Sequence, residues 1–177
     1  MKYMKYIIPI IMLSLVLFSC AKKDDEAATN TTYTCTGASS GSGPTIGSVA
    51  LEEATYLSTC FSSRKIQLAF KNSSEAQYTS YTYGDSSCSG TATDTTSMCM
   101  NTITVSSTAV TKPTWVDGAL GDNASGYNVN AAWLHDSTEI AYLQFSGVSS
   151  SEFWFNQTKS PAQLNSNATW AFKFTKQ

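Results

Sequence analysis

From about residue 48 onward, apolar and polar positions alternate with a period of two, the mark of strands that bury one face and wet the other. The clearest run is Arg64–Lys71, where Ile66, Leu68 and Phe70 share one face and Lys65, Gln67 and Lys71 take the other. Near the C-terminal end Trp170, Phe172 and Phe174 alternate with Ala171, Lys173 and Thr175. Tyr127, Val129, Ala131 and Trp133 alternate with Asn128, Asn130 and Ala132, and Ile103 and Val105 with Thr102 and Thr104. Further strands are predicted at 51–59, 76–84, 139–146 and 151–157. Turn signals fall at Asn72-Ser73-Ser74, Gly84-Asp85-Ser86, Asp117-Gly118, Gly121-Asp122-Asn123 and Ser146-Gly147. Helical spacing is confined to one short turn over Pro161–Asn165.

About eight short strands, each with one apolar face, predict an all-β domain over residues 46–177. The expected architecture is a single antiparallel up-and-down β-barrel, because closure removes the exposed edges of a sheet. An interior of that size is filled by side chains or holds one small ligand. A β-sandwich carries the same pattern; meander order with short connections favours the barrel. The inward set is read as Ile66, Leu68, Phe70, Ile103, Val105, Tyr127, Val129, Trp133, Trp170, Phe172 and Phe174. Four of these, Phe70, Trp133, Trp170 and Phe172, are the candidates for contact with an apolar ligand. Phe153-Trp154-Phe155 has no readable phase, since three successive rings cannot all face the core.

The first 45 residues behave differently. Lys2 and Lys5 precede an apolar run, Tyr6–Phe18, that is interrupted by Pro9. A spanning helix needs about 20 residues, so residues 1–19 read as an export signal and stand outside the fold. The following Leu17-Phe18-Ser19-Cys20 resembles the lipobox of bacterial lipoproteins, in which a small residue precedes an obligatory cysteine. Ser19 fits that pattern; Phe18 fits only its relaxed form. The resemblance implies cleavage before Cys20, lipidation of that cysteine with acyl chains such as palmitate, and attachment to a membrane. Ala21 follows Cys20 and no acid sits directly beside it, which favours the outer membrane, on its periplasmic or surface face. Residues 20–45 then form a flexible tether, polar and ending in Gly41-Ser42-Gly43-Pro44.

Composition narrows the function. The chain has 177 residues and a formal charge of −2, and losing the signal removes two lysines and no acid. Without a cluster of Lys and Arg, nucleic-acid binding is excluded. Once Cys20 is lipidated, Cys35, Cys60, Cys88 and Cys99 remain, an even number that outside the cytosol reads as two disulfides.

Three segments resemble a group of small exported, lipocalin-like bacterial proteins of unassigned function. These are Tyr56-Leu57-Ser58-Thr59-Cys60, Tyr81-Thr82-Tyr83-Gly84-Asp85-Ser86-Ser87-Cys88 and the aromatic end Phe174-Thr175-Lys176. Tyr56 stands where that group usually has Trp. The resemblance implies a barrel and nothing about activity. A meander of the first three strands would bring Cys60 and Cys88 to one rim, within the 5.5–6 Å or so that a disulfide spans between Cα atoms, leaving Cys35 with Cys99. The rival pairs Cys88 with Cys99 and Cys35 with Cys60. Both stay open at this stage.

Catalytic chemistry finds little support. His135, the one histidine, precedes Asp136, but serine is too common for a triad to carry meaning and no Gly-x-Ser-x-Gly elbow exists. Glu52 and Glu53 are neighbours on a strand and face opposite ways. Met98-Cys99-Met100 offers soft ligands for Cu(I), yet an oxidised Cys99 is no ligand and the two methionines read as core. The Asn-x-Ser/Thr sequons, Asn72 and Asn156 among them, read as products of composition. No metal and no cofactor is called for. The expectation is a membrane-anchored, non-enzymatic barrel that binds a small apolar ligand or an envelope partner. A surface-exposed adhesin contacting host protein is the alternative, and a hydrolase using His135 a distant third.

Overall fold

The computed structural model describes residues 32–111, 125–134, 136–158 and 172–177. Among them run β1 (Ser42–Ile46), β2 (Val49–Glu52), β3 (Thr55–Ser58), β4 (Arg64–Phe70), β5 (Ala76–Thr82), β6 (Asp94–Thr111), β7 (Ser125–Trp133), β8 (Asp136–Ser146), β9 (Glu152–Thr158) and β10 (Phe172–Lys176). Strands β3 to β10 close an antiparallel barrel in which each lies beside its sequence neighbours and β10 pairs with β3. Closure decides against the sandwich. Cys20, His135 and Trp170 lie outside the described residues, as do the predicted turns at Asp117-Gly118 and Gly121-Asp122-Asn123 and the helical turn at Pro161–Asn165.

Alternation sets which side chains enter the barrel. On β4, Ile66, Leu68 and Phe70 are all buried while Lys65, Gln67 and Ala69 are half-buried outside. Val129, Ala131 and Trp133 of β7 and Phe174 of β10 are buried as the pattern requires, and Ile103, Val105, Tyr127 and Phe172 pack more loosely against the same cluster. The Phe153-Trp154-Phe155 triple resolves with Phe153 and Phe155 inside, each 0% exposed, and Trp154 outside. Met100 is buried in the core and Met98 packs against it, so neither methionine is a surface ligand.

Three boundaries differ from the sequence reading. First, residues 42–45 belong to a strand and not to a tether. β1 and β2 form a hairpin through Gly47-Ser48, with Ile46 opposite Val49. Glycine and proline are poor strand formers, and a two-stranded ribbon tolerates them because each strand has a free edge. Gly47 takes φ 62° and sits where a Cβ would lie 2.6 Å from the Tyr127 ring. Second, the run 51–59 breaks at Glu53-Ala54 into β2 and β3, because the chain passes there from the hairpin into the barrel wall. Third, β6 starts at Asp94, well before Thr102, and reaches 18 residues. Its Thr- and Ser-rich start has no apolar alternation to betray it, and it is held by a continuous ladder to β5 from Asp94↔Thr82 to Met100↔Ala76.

The two rims are closed by different means. The upper rim carries the β4–β5 turn, the β8–β9 turn and the C-terminus, and the β1–β2 hairpin lies over it. The lower rim carries the loops around Cys60 and Cys88. Turn chemistry follows the sequence at both. Asn72 Oδ1 accepts the Ser74 N–H at 2.8 Å, and Asp85 Oδ1 accepts the Ser87 N–H at 2.8 Å.

Candidate functional site

The barrel interior is the site that the sequence nominates, and its geometry is governed by one ring. Phe153 projects from β9 into the centre, where it stacks on Phe174 at 5.1 Å and 11°. It also meets Phe145 at 5.0 Å, Tyr56 at 5.1 Å and Phe70 at 6.4 Å. Phe155 adds edge contacts to Phe145 and Phe174, each at 5.3 Å. Rings at these separations are in contact, and offset or edge packing adds about 0.5–1.5 kcal/mol per pair to the burial itself. The interior at this level is full.

The three described candidates, Phe70, Trp133 and Phe172, have no ring contact with one another. Phe70 lies high in the barrel, edge-on to Tyr56 at 5.7 Å. Trp133 lies at the far end of β7, edge-on to Tyr78 at 5.5 Å and beside Met100 across the strand pair. Phe172 is half-buried at the lower rim, against Phe61 at 5.8 Å. Trp170 is outside the described residues. Phe70 and Trp133 thus belong to separate layers of one packed core.

The upper mouth is occupied by the hairpin. Ile46 and Leu51 are each 1% exposed and join the same apolar cluster as the barrel rings. The Tyr56 hydroxyl donates to the Ser150 carbonyl at 3.1 Å and accepts the Glu52 N–H at 3.4 Å, tying hairpin, wall and β8–β9 turn together. Burial pushes the Tyr56 and Tyr78 hydroxyls above their usual pKa. Glu52 pairs with Lys176 at the C-terminus, while Glu53 accepts the Ser39 hydroxyl and the Gly41 N–H. These contacts hold the Glu53 carboxyl below its usual value, the Ser39 bond most of all. The adjacent acids serve separate neighbours and form no acid–base pair. A cleft of about 160 Å³ opens between the hairpin tip and the β8–β9 turn, lined by Ile46, Ser48, Val49, Tyr127, Ser146, Gly147 and Val148. Drug-sized ligands take roughly 300–1,000 Å³. It is a seam.

Outside, residues 33–41 run as a strap over β4–β6. Gln77 carries most of it: its Oε1 accepts the Cys35 N–H at 2.8 Å, and its Nε2 donates to the Tyr33 carbonyl at 2.8 Å and to Ser97 Oγ at 2.9 Å. Glu75 Oε2 accepts the Gly37 N–H at 2.7 Å. Cys35 and Cys99 are bonded, with Cα atoms 5.0 Å apart, and Cys60 is bonded to Cys88 with Cα atoms 5.8 Å apart. The first pairing weighed above is the one formed. Cys35, Glu75 and Cys99 place possible ligand atoms within 4.8 Å of one another. Their sulfurs are bonded to each other and the carboxylate serves Gly37, so this group has no thiolate to offer a metal.

Sequence reasoning passed over Tyr56, Phe145 and Phe153 as interior residues. It also passed over a row of amides off the inward phase, half-buried Asn128 with buried Gln144 and Asn156, which stand opposite one another on β7, β8 and β9. Gln144 Nε2 donates to Asn128 Oδ1 at 2.8 Å. The signal was present as polar residues in register on neighbouring strands, but register is invisible before strands are paired. No family model, curated protein or solved structure matches this chain.

Proposed function

We propose that this chain is an exported lipoprotein, anchored through acyl chains on Cys20, whose barrel is a rigid non-catalytic body that meets an envelope partner with its outer surface. The observation that carries the choice of surface over interior is the ring packing among the described residues: Phe153 is ringed by Tyr56, Phe70, Phe145 and Phe174, and Ile46 and Leu51 close the mouth above them. A carrier of apolar molecules keeps its cavity open. Two disulfides across long stretches of chain suit an oxidising compartment outside the cytosol and support export. Placement at the outer membrane rests on Ala21 after Cys20.

Fatty-acid labelling tests the anchor: the parent chain incorporates label and sediments with membranes, and a Cys20→Ser chain does neither. Solvent extraction of the purified protein tests the filled interior. No apolar compound is expected at molar ratio. One such compound recovered per chain would return the interior to the role of binding site and sink the surface reading.

A further inference from the structure

The two disulfides sit in unlike settings. Cys35 and Cys99 are 6% and 1% exposed, and Cys99 lies within β6, opposite Gln77 on the ladder to β5. Cys60 and Cys88 both lie outside strands, one just past β3 and the other in the β5–β6 loop, so opening their bond interrupts no ladder. Cys88 is 5% exposed, whereas Cys60 is only half-buried and is the most accessible of the four.

Backbone strain gathers around the same bond. Among the described residues four other than glycine have positive φ, and three of them adjoin it: Ser62 at 47°, Ser63 at 62° and Cys88 itself at 53°. The left-handed region is costly for any residue with a Cβ. Ser62 and Ser63 form the two-residue turn between β3 and β4, closed by Phe61 and Arg64, whose N–H groups each donate to the other's carbonyl at 2.9 Å. A turn with positive φ at both central positions is normally built from Asn-Gly, and here it is Ser-Ser. The Ser63 carbonyl accepts the Tyr83 N–H at 2.8 Å, at the root of the β5–β6 loop. The strained turn is thus held from two sides, through Cys60 to Cys88 and through Ser63 to Tyr83.

Strained or exposed disulfides are the labile ones, and buried unstrained ones resist exchange. We propose that Cys60–Cys88 is a reversible redox switch of the lower rim, opened by a dithiol reductant, and that Cys35–Cys99 is a permanent staple. One thiol of the reductant, deprotonated, attacks the Cys60 sulfur. The bond to Cys88 breaks, and Cys88 leaves as a thiolate that takes up a proton. The second thiol of the reductant, also as thiolate, then displaces Cys60, which leaves and is protonated in the same way. Two electrons and two protons pass to the pair, and the reductant ends as a disulfide. Opening uncouples the β3–β4 turn, with Phe61 41% exposed upon it, from the β5–β6 loop and leaves the barrel ladders intact.

The test treats the oxidised full-length chain with graded dithiothreitol, alkylates the thiols that appear and locates them by mass spectrometry. Cys60 and Cys88 are expected to label at concentrations about ten-fold below those that label Cys35 and Cys99, with the circular dichroism of the barrel unchanged. A Cys-x-x-Cys oxidoreductase whose second cysteine is replaced by serine should be trapped as a mixed disulfide on Cys60. Ser62→Asn with Ser63→Gly fits the turn to its conformation and should raise the concentration that opens Cys60–Cys88 about five-fold, without moving Cys35–Cys99. Labelling of Cys35 and Cys99 first or together with the other pair would overturn the proposal. So would trapping on another cysteine or on none, loss of the barrel when Cys60–Cys88 opens, or an unmoved midpoint in the Asn-Gly variant.

Discussion

The barrel wall is built from two unlike parts. On one side β9, β10, β3, β4 and β5 are short, from 4 to 7 residues, and surround the stacked rings. On the other, β6, β7 and β8 run to 18, 9 and 11 residues and overshoot the upper rim. The short wall carries Tyr56, Leu68, Phe153, Phe155 and Phe174, all 0% exposed. The overshoot carries Thr104, Ser107, Thr108 and Ala109, all exposed, and slips register twice. The long wall feeds the core as well, through Met100, Val129, Trp133, Leu143 and Phe145, but its overshoot from Thr104 to Val110 carries no buried residue. Rings facing rings hold the barrel, and the longer ladders extend beyond what they stabilise.

That contrast breaks most readily at Phe153. Phe153→Ala removes the ring shared by four aromatic neighbours, and it should cost up to about 5 kcal/mol in urea unfolding, the upper end for large-to-small core changes. A loss below 1 kcal/mol would show that the rings are not the source of stability. Removing the outer staple comes next. Cys35→Ser with Cys99→Ser opens a cross-link over a separation of 64 residues, for which chain entropy gives about 4 kcal/mol. The same variant should release the strap, read as faster amide exchange at positions 35 and 37, whose N–H groups now serve Gln77 and Glu75.

A smaller effect separates the plug from the wall. Gly47→Ala forces a side chain into φ 62° and against the Tyr127 ring, so about 2 kcal/mol is expected from left-handed strain, again by urea unfolding. Ser107→Ala on the overshoot should change stability by less than about 0.5 kcal/mol. A loss as large as that at Phe153 would erase the distinction between the two walls.

The lower rim adds a test in acid. Asp85 has its carboxyl pKa lowered to about 2 by hydrogen bonds from Ser87 and Ser89, the Ser87 side chain contributing most. Because the folded value lies below the unfolded one, the stabilisation is complete above the usual carboxylate range, near pH 4, and fades as the pH falls toward 2. Carboxyl NMR should place its midpoint near 2; a midpoint near 4 would mean that the Asp85 turn does not hold in solution.

Much of this body was legible beforehand. Alternation located β4 and β7 with their inward residues and, at β10, the buried Phe174, and the strand tally with short connections led to the closed barrel. Three features escaped for physical reasons. The plug hides in Ser42-Gly43-Pro44-Thr45, a composition shared with linkers, and only tertiary contact tells them apart: a Cβ on Gly43 would lie 3.2 Å from the Phe70 side chain. The hub ring hides in a run of three aromatics, where period two gives no phase. The start of β6 hides because Thr and Ser write no contrast between faces. For the candidate ligand contacts, alternation told which way Phe70 and Trp133 point and was silent on how high each sits. Depth along a barrel depends on stagger, and stagger is a property of pairs of strands.

The Cys35–Cys99 staple has a mechanical consequence. A pull arriving along the N-terminal segment reaches Cys35 and passes through the sulfurs into the middle of β6, so the main chain between them lies outside the line of tension. The plug and strands β3, β4 and β5 all sit in that slack loop. The weakest element, a two-stranded hairpin, is thereby spared load, and the barrel is held by its longest strand.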